Sequence, residues 1–482
     1  MLARTLAAAG VRHVFALSGN HVMPVFDAAL DAGLDLIHVR HEAAAVHMAD
    51  AWARLTGEVG VALVTGGPGH ANAVSALYTA LEAESPVVLL SGHAALGELG
   101  KGAFQEMRQA ELAAPVTKAS WTAQSAGRLG EDLARALREA RAGRPGPMHL
   151  SLPQDVLEAF VEVGIPQFSV MEPRRVAFPE ELLKAQRPLV IAGPAMMRIA
   201  DVQRLEAASG VPVIGMESPR GVNDPALGKL AEVFSRADAV LLLGKRLDFT
   251  LKFGKVFADG CRVLHADAVP EAPEEGQENP WLEDVRSALA YRPPEWNDIE
   301  GSLHPVAVCR VVQKILQAPD AALVCDGGEF GQWAQACLHA PRRLINGPAG
   351  SIGSALPFAA AAKLAFPHAP VVAMMGDGTF GFHLSEIDTA VRYGLHYIAV
   401  IGNDACWNAE YQIQLRAYGE ERARGLDLLP TRYGAAAAAL GAYGEDVSVF
   451  EELEAALGRC IGEKRPACVN VMIERHAAPK YP

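Results

Sequence analysis

The chain has 482 residues; half are hydrophobic, 21% are charged and 6% aromatic, a globular composition that excludes a disordered or fibrous protein. That length exceeds the about 250–300 residues at which single cores stop growing, so two or three domains are expected. The 56 acidic residues outnumber the 43 basic ones, and the net charge of −13 argues against general binding to nucleic acid or an anionic membrane, both of which need a basic face.

Short apolar runs alternate with longer amphipathic stretches, the pattern of βαβ units in mostly parallel sheets. Strands are predicted at Val14–Leu17, Leu36–Val39, Val59–Val64, Val87–Leu90 and Met148–Leu152. The segment Val161–Pro179 carries prolines and little periodicity and reads as a linker. A second set of strands follows at Pro188–Ala192, Val211–Gly215, Ala239–Gly244 and Cys261–His265. A second linker, rich in Pro, Glu and Asp, runs from Asp267 to about Pro294. The last set comprises Ala322–Cys325, Leu344–Asn346, Val371–Met375, Tyr397–Ile401 and Cys468–Ile473, and the Ala-rich piece Gly434–Gly441 reads as a packed helix. The predicted fold is therefore α/β, with three doubly wound parallel-sheet domains at residues 1–160, 180–290 and 300–482, the first and third similar in layout.

The seven cysteines include no pair at C-x-x-C spacing, and an odd, scattered set builds no disulfide framework. They read as buried thiols in a reducing compartment. Met1–Gly10 lacks the pattern of a signal peptide, and no stretch approaches the roughly 20 apolar residues of a membrane span. A soluble, cytoplasmic protein is expected.

The chemistry concentrates first at Gly376-Asp377-Gly378-Thr379, which follows the predicted strand Val371–Met375. A glycine-flanked Asp at the carboxyl end of a parallel strand stands where such folds place ligands, although Gly-Asp-Gly alone is also ordinary turn chemistry. Asn403-Asp404 follows the next predicted strand, and Asp404 lies 27 positions after Asp377, one helix and one strand away. The chain thus returns to the same sheet edge and the two carboxylates can converge. Two hard oxygen ligands, with a backbone carbonyl and diphosphate oxygens, suit octahedral Mg²⁺; without a metal the two acids would repel each other.

This spacing resembles the signature of thiamine-diphosphate enzymes, and further motifs extend the likeness to the acetolactate synthase-like group. The resemblance implies metal ligation by Asp377, by Asp404 where the family usually has Asn, and by the main-chain carbonyl of Cys406. It implies that Gly376, Gly378, Thr379 and Asn403 border the cofactor, and that Ile352, in Gly350-Ser-Ile-Gly-Ser-Ala-Leu-Pro357, is the aliphatic wedge that bends it into a V. Asp326-Gly327-Gly328-Glu329 is similar to the loop that touches the diphosphate. In the first domain, Arg40-His41-Glu42 carries the family's catalytic Glu at Glu42. A carboxylate there hydrogen-bonds the pyrimidine N1′, and the cofactor's own imine then removes the thiazolium C2 proton. Taken alone, Glu42 would be a helix N-terminal acid.

Thr65-Gly66-Gly67-Pro68-Gly69, with Asn72, resembles the loop beside the pyrimidine; Phe104-Gln105-Glu106 and Pro115-Val-Thr-Lys118 resemble acetolactate synthase segments in which the Phe and Gln face the substrate. Leu243-Gly-Lys-Arg-Leu-Asp248 is similar to a nucleotide-binding segment of relatives, which leaves FAD open beside a purely structural spacer. Gln154 stands where the synthase has Lys, and Cys406-Trp-Asn-Ala-Glu410 departs from its pattern. Ser18-Gly-Asn-His21 resembles benzaldehyde lyase instead, where a His could move protons on a bound hydroxyl. His93 is a second, weaker candidate for that role, while His13, His38 and His383 read as structural.

The resemblance implies a thiamine-diphosphate- and Mg²⁺-dependent carboligase or decarboxylase acting on 2-oxo acids, acetolactate synthase-like. The alternatives are cleavage or ligation of 2-hydroxy ketones, or decarboxylation of another 2-oxo acid. A binding or regulatory homologue and a dinucleotide oxidoreductase rank lower; only one glycine stands in Ile191-Ala-Gly-Pro-Ala195. The expected partners are a small-molecule substrate and further copies of the chain, in a homodimer or homotetramer with active sites at subunit interfaces.

Overall fold

The computed structural model describes residues 1–168, 174–273 and 279–480; residues 169–173 of the first predicted linker and 274–278 of the second lie outside the described residues. The chain divides into two compact units, residues 1–172 with 360–365, and residues 173–359 with 366–482.

The first unit is built on six strands: β1 (His13–Ala16), β2 (Asp35–His38), β3 (Gly60–Val64), β4 (Val87–His93), β5 (Ala119–Thr122) and β6 (Met148–Pro153). They form one parallel sheet in the order β2-β1-β3-β4-β6-β5. β3, β4 and β6 are buried along their whole length, and β3 and the first half of β4 read as continuous apolar runs for that reason. The helix Glu42–Thr56 buries Ala43, Ala44, Ala45, Ala49, Ala51 and Ala53. Small residues let it press close to the sheet: a Cβ on Gly60 would collide with the Ala49 carbonyl.

The second unit holds two larger sheets. β8 (Pro188–Ala192), β9 (Val213–Gly215), β10 (Ala239–Leu243) and β11 (Arg262–Ala266) pair in parallel as β11-β10-β8-β9. β7 (Arg175–Val176) and β12 (Val269–Pro270) make a separate two-stranded pair. The remaining strands are β13 (Ala322–Cys325), β14 (Arg342–Ile345), β15 (Val371–Gly376), β16 (Ile398–Asn403), β17 (Tyr443–Val447) and β18 (Ala467–Met472). Their order, β14-β13-β15-β16-β18-β17, repeats that of the first sheet strand for strand. The similar layout expected from sequence is thus a topological repeat.

Every predicted strand is present, with ends shifted by a few residues. Four strands escaped prediction: β5 is half-buried throughout, only Val447 of β17 is buried, and the two-residue strands β7 and β12 lie in the predicted linkers, so none carries an apolar run. The second linker is corrected more substantially. It contains β12 and a ten-residue helix, Trp281–Ala290. Trp281 and Val285 lie one turn apart and are buried, and the Trp281 indole donates to the Pro188 carbonyl at 3.1 Å. Flanking prolines and acids mask a short amphipathic helix. The Ala-rich piece is helical over Tyr433–Ala439, as expected.

Candidate active site

In an open parallel sheet, ligands bind beyond the carboxyl ends of the strands, where the strand order reverses. In the first sheet that point lies between β1 and β3, and in the last between β13 and β15. The loops that follow these four strands carry His21, Gly67–Gly69, Asp326–Gly328 and Gly376–Thr379.

In the first unit Glu42 opens the helix Glu42–Thr56; its cap is His41, whose Nδ1 accepts the Ala43 N–H at 3.1 Å. Glu42 is 9% exposed, and Asn72 Nδ2 donates to its Oε2 at 3.1 Å. Its Oε1 faces Gly69, where a Cβ would stand 3.3 Å away and would also press on Thr65. Gly67 adopts φ +60°, a left-handed conformation that favours glycine, and Pro68 begins the helix Pro68–Glu82 that carries Asn72. Thus Glu42, Gly67, Pro68, Gly69 and Asn72, far apart in sequence, meet at one strand end.

His21 is buried beside them, with Nδ1 3.3 Å from Thr65 Oγ1 and its ring stacked on Phe104 at 6.2 Å. Burial holds its pKa below the usual histidine value, against a hydrogen bond with the Phe104 backbone. Its imidazole is therefore neutral near pH 7 and able to accept a proton. Phe104 is 69% exposed and Gln105 sits at φ +56°, on a loop whose bend Glu106 fixes by accepting from the amides of Gly100, Gly102 and Ala103. A Cβ on Gly67 would stand 2.6 Å from the Gln105 carbonyl oxygen, so these loops touch. His93 is buried near His21 and Glu106, and burial lowers its pKa too.

In the second unit a cavity of about 190 Å³ is lined by Gly327, Gly328, Ile352, Asp377, Asp404 and Cys406, among others. Asp377 opens the helix Asp377–His383, is 2% exposed, and its Oδ2 has no hydrogen-bond partner among the described residues. Burial pushes its carboxyl up to about 6, opposed by the amides of Gly378 and Cys406. Asp404 is pushed to about 7, by burial first and the neighbouring Asp377 charge second. A buried and a half-buried carboxyl face one cavity, one of them with an oxygen that has no partner among the described residues, and both favour a cation. Among the described residues no group of three or more His, Cys, Asp and Glu side chains could hold a metal, so any metal here would need further oxygen ligands from main chain, water or a bound phosphate.

The loop 404–407 is shaped by its neighbours. Ala405 sits at φ +52°, and its N–H is taken by Asn403 Oδ1 at 3.1 Å. Asn403 Nδ2 donates to the Thr431 carbonyl and to Asn470, so its side chain is occupied away from the cavity and braces the loop. Leu428 N–H donates to the Ala405 carbonyl and Trp407 N–H to the Leu426 carbonyl, both at 2.8 Å. Trp407 in turn covers Gly378, where a Cβ would come within 2.6 Å of the indole.

Asp326 likewise stands behind the cavity. It is fully buried, and its oxygens accept from Gly327 (2.7 Å), Gly353 (2.9 Å) and Ala355 (2.9 Å), so it clamps the loop that presents Ile352. Ile352 closes on Gly327, where a Cβ would meet its Cγ2 at 2.8 Å. Thr379 lines the cavity and donates from Oγ1 to the Gly376 carbonyl. Sequence reasoning missed Asn346 and Gln332, which line the same cavity and each bury an oxygen that has no partner among the described residues, and Arg475, which donates to the Asp404 carbonyl at 3.0 Å. No motif marks them: Asn346 and Gln332 are single polar residues beside apolar stretches, and Arg475 stands in the charged run Glu474-Arg475-His476.

At the switch point of the central sheet, Lys245 Nζ bonds both oxygens of Asp248 at 3.0 and 2.9 Å, and Asp248 caps the turn at Thr250. Met196 packs where a Cβ on Gly244 would lie, at 2.7 Å.

Known families match both sites. Residues 1–112 match the thiamine pyrophosphate enzyme N-terminal TPP-binding domain, and residues 326–471 the C-terminal TPP-binding domain. The chain belongs to the thiamine pyrophosphate enzymes. It is 33% identical to the acetolactate synthase large subunit IlvG of Mycobacterium tuberculosis, over 100% of this chain and 96% of that one. It is 30% identical to 2-hydroxyacyl-CoA lyase 2 of Homo sapiens, over 98% of this chain and 89% of that one. The acetolactate synthase isozyme 3 large subunit of Escherichia coli is also 30% identical, over 96% and 92%. The family's cofactor, thiamine pyrophosphate, is the thiamine diphosphate expected from the motifs.

Proposed function

We propose that this thiamine-diphosphate enzyme makes or breaks carbon–carbon bonds in 2-oxo acids, in the manner of acetolactate synthase, with Mg²⁺ anchoring the cofactor. The observation that carries the metal assignment is the unpartnered, buried Oδ2 of Asp377 beside Asp404. Oxygen donors of this kind suit Mg²⁺, and a cation would return both carboxyls to their charged form. Asp377, Asp404 and the Cys406 carbonyl would hold the ion; the Gly327 and Gly328 backbone and the Ile352 side chain would border the cofactor. Bound thiamine diphosphate supplies the carbanion equivalent that attacks a carbonyl.

The chain's own residues orient and shuttle protons. Asn72 occupies one oxygen of Glu42 and so fixes the direction of the other, the oxygen assigned to the pyrimidine. Gln105, on the loop against Gly67, is assigned to the substrate side. The central sheet is read as a spacer, because Lys245 and Asp248 engage each other at the place expected for a nucleotide; flavin absorbance in the purified protein would overturn that. By analogy with the family, the working unit is a homodimer or homotetramer in which Glu42 of one copy serves Asp377 and Asp404 of another.

A second reading, cleavage of a 2-hydroxy carbonyl compound, is favoured by His21. A buried, neutral imidazole at this strand end can take the proton of a hydroxyl group. The two are separated by incubating the protein with Mg²⁺, thiamine diphosphate, and either pyruvate or a panel of 2-hydroxy ketones and 2-hydroxyacyl-CoA esters. Carbon dioxide and acetolactate from pyruvate support the synthase reading. Cleavage without carbon dioxide replaces it with the lyase.

A further inference from the structure

We propose that Gln109 is a positioning residue: its carboxamide sets the Gly67 amide, and with it the loop that faces the cofactor's pyrimidine. The inference rests on the reading that Gly67–Gly69 borders the cofactor. Gln109 lies outside the motifs that mark the site, yet it is 1% exposed and every polar atom of its side chain is used. Its Oε1 accepts the Gly67 N–H at 2.8 Å. Its Nε2 donates to the Gly92 carbonyl at 3.0 Å and to Ser151 Oγ at 3.1 Å. Gly67 follows β3, Gly92 lies in β4 and Ser151 in β6, so one amide ties the ends of three adjacent strands.

The geometry needs an amide. Gly67, at φ +60° and ψ −114°, precedes the helix Pro68–Glu82 and finds its acceptor in Gln109. A carboxylate could accept that bond but would set an acceptor against the Gly92 carbonyl. An apolar side chain would leave the Gly67 N–H buried and unpaired. There is little slack nearby, since a Cβ on Gly66 would meet the Gly92 oxygen at 2.7 Å and Gln109 Oε1 at 3.2 Å. Gln109 also ends the loop that carries Gln105, whose carbonyl lies against Gly67. One side chain therefore couples the cofactor loop to the substrate loop.

The test uses the full chain with Mg²⁺. Thiamine diphosphate half-saturation and C2 deuterium exchange at saturating cofactor are measured for wild type, Gln109→Met and Gly67→Ala, each normalised to the folded fraction by circular dichroism. Gln109→Met should raise the half-saturating concentration roughly ten- to a hundredfold, the scale of one buried unpaired amide, and slow exchange. A merely structural role would lower the folded fraction and leave both normalised values unchanged, which overturns the proposal. Should the Met variant not fold, Gln109→Asn, which keeps the amide but draws it back from Gly67, must give the same direction of change. If Gly67→Ala weakens the cofactor and Gln109→Met does not, the inference alone falls. If Gly67→Ala also binds as wild type, the reading of the loop falls with it.

Discussion

Glu42 and Asp377 each open a helix just beyond a strand, but the two are spent differently. Glu42 has a partner for one oxygen, whereas Asp377 has an oxygen with none among the described residues. Replacing Glu42 by Gln keeps the shape and removes the charge. C2 exchange should slow by roughly 10²–10⁴, the usual worth of a positioned acid–base group, while cofactor affinity stays within a few fold; unchanged exchange would remove Glu42 from its role. Asp377→Ala should instead abolish Mg²⁺ and cofactor binding together in calorimetry. Retained Mg²⁺ binding would move the metal elsewhere.

At the scale of elements, local backbone and packing decide the outcome. Ala405 holds a left-handed conformation between Asp404 and Cys406, with its amide held by Asn403 and its carbonyl by Leu428. Ala405→Gly should stabilise the protein by about 1 kcal/mol, because glycine adopts this φ without the Cβ clash; no gain in a denaturant titration would show the strain to be absent. The helix Trp281–Ala290 is the opposite case, an element concealed within a predicted linker. Trp281→Ala should cost about 3–5 kcal/mol through the cavity left and the lost bond to Pro188. A loss below 1 kcal/mol would mean the helix is peripheral. These elements also show the reach of sequence patterns. Buried strands such as β3 and β15 announce themselves as apolar runs. β5, β17 and the two-residue pair β7 and β12 are held by neighbours and carry no pattern of their own.

At the scale of the molecule, a histidine pair buried in the first unit makes its stability depend on pH. His70 bonds Ser91 Oγ at 2.8 Å, and His149 bonds Ser120 Oγ at 2.7 Å; their rings lie 4.5 Å apart. Burial lowers His70 to about 4 and His149 well below the ordinary value, with the neighbouring histidines adding to the second shift. Unfolded, each regains a value near 6.5, so unfolding takes up protons below that pH. The contribution of His70 is full above about pH 6.5 and is lost as pH falls toward 4, roughly 3 kcal/mol in all; that of His149 falls in the same direction. His70→Gln should flatten the fall of melting temperature across this window relative to wild type. Parallel curves for the two proteins would show that His70 is not buried neutral.

The sequence by itself determined the α/β class, the main strands, the acidic balance and the motif residues around Glu42 and Asp377, because buried parallel strands and glycine-flanked ligand loops impose local composition. Asp326 and Asn403 show where that reading stops. Both sit in recognisable motifs, yet their side chains are consumed in holding loops, while Asn346, Gln332 and Trp407 line the cavity beside the motif residues. Only the tertiary structure decided which polar atoms are satisfied, since a hydrogen bond between residues 42 positions apart, such as Gly67 to Gln109, leaves no trace in either neighbourhood. The same holds for the repeated strand order of the first and last sheets, which follows from pairing between distant segments rather than from any local run of residues.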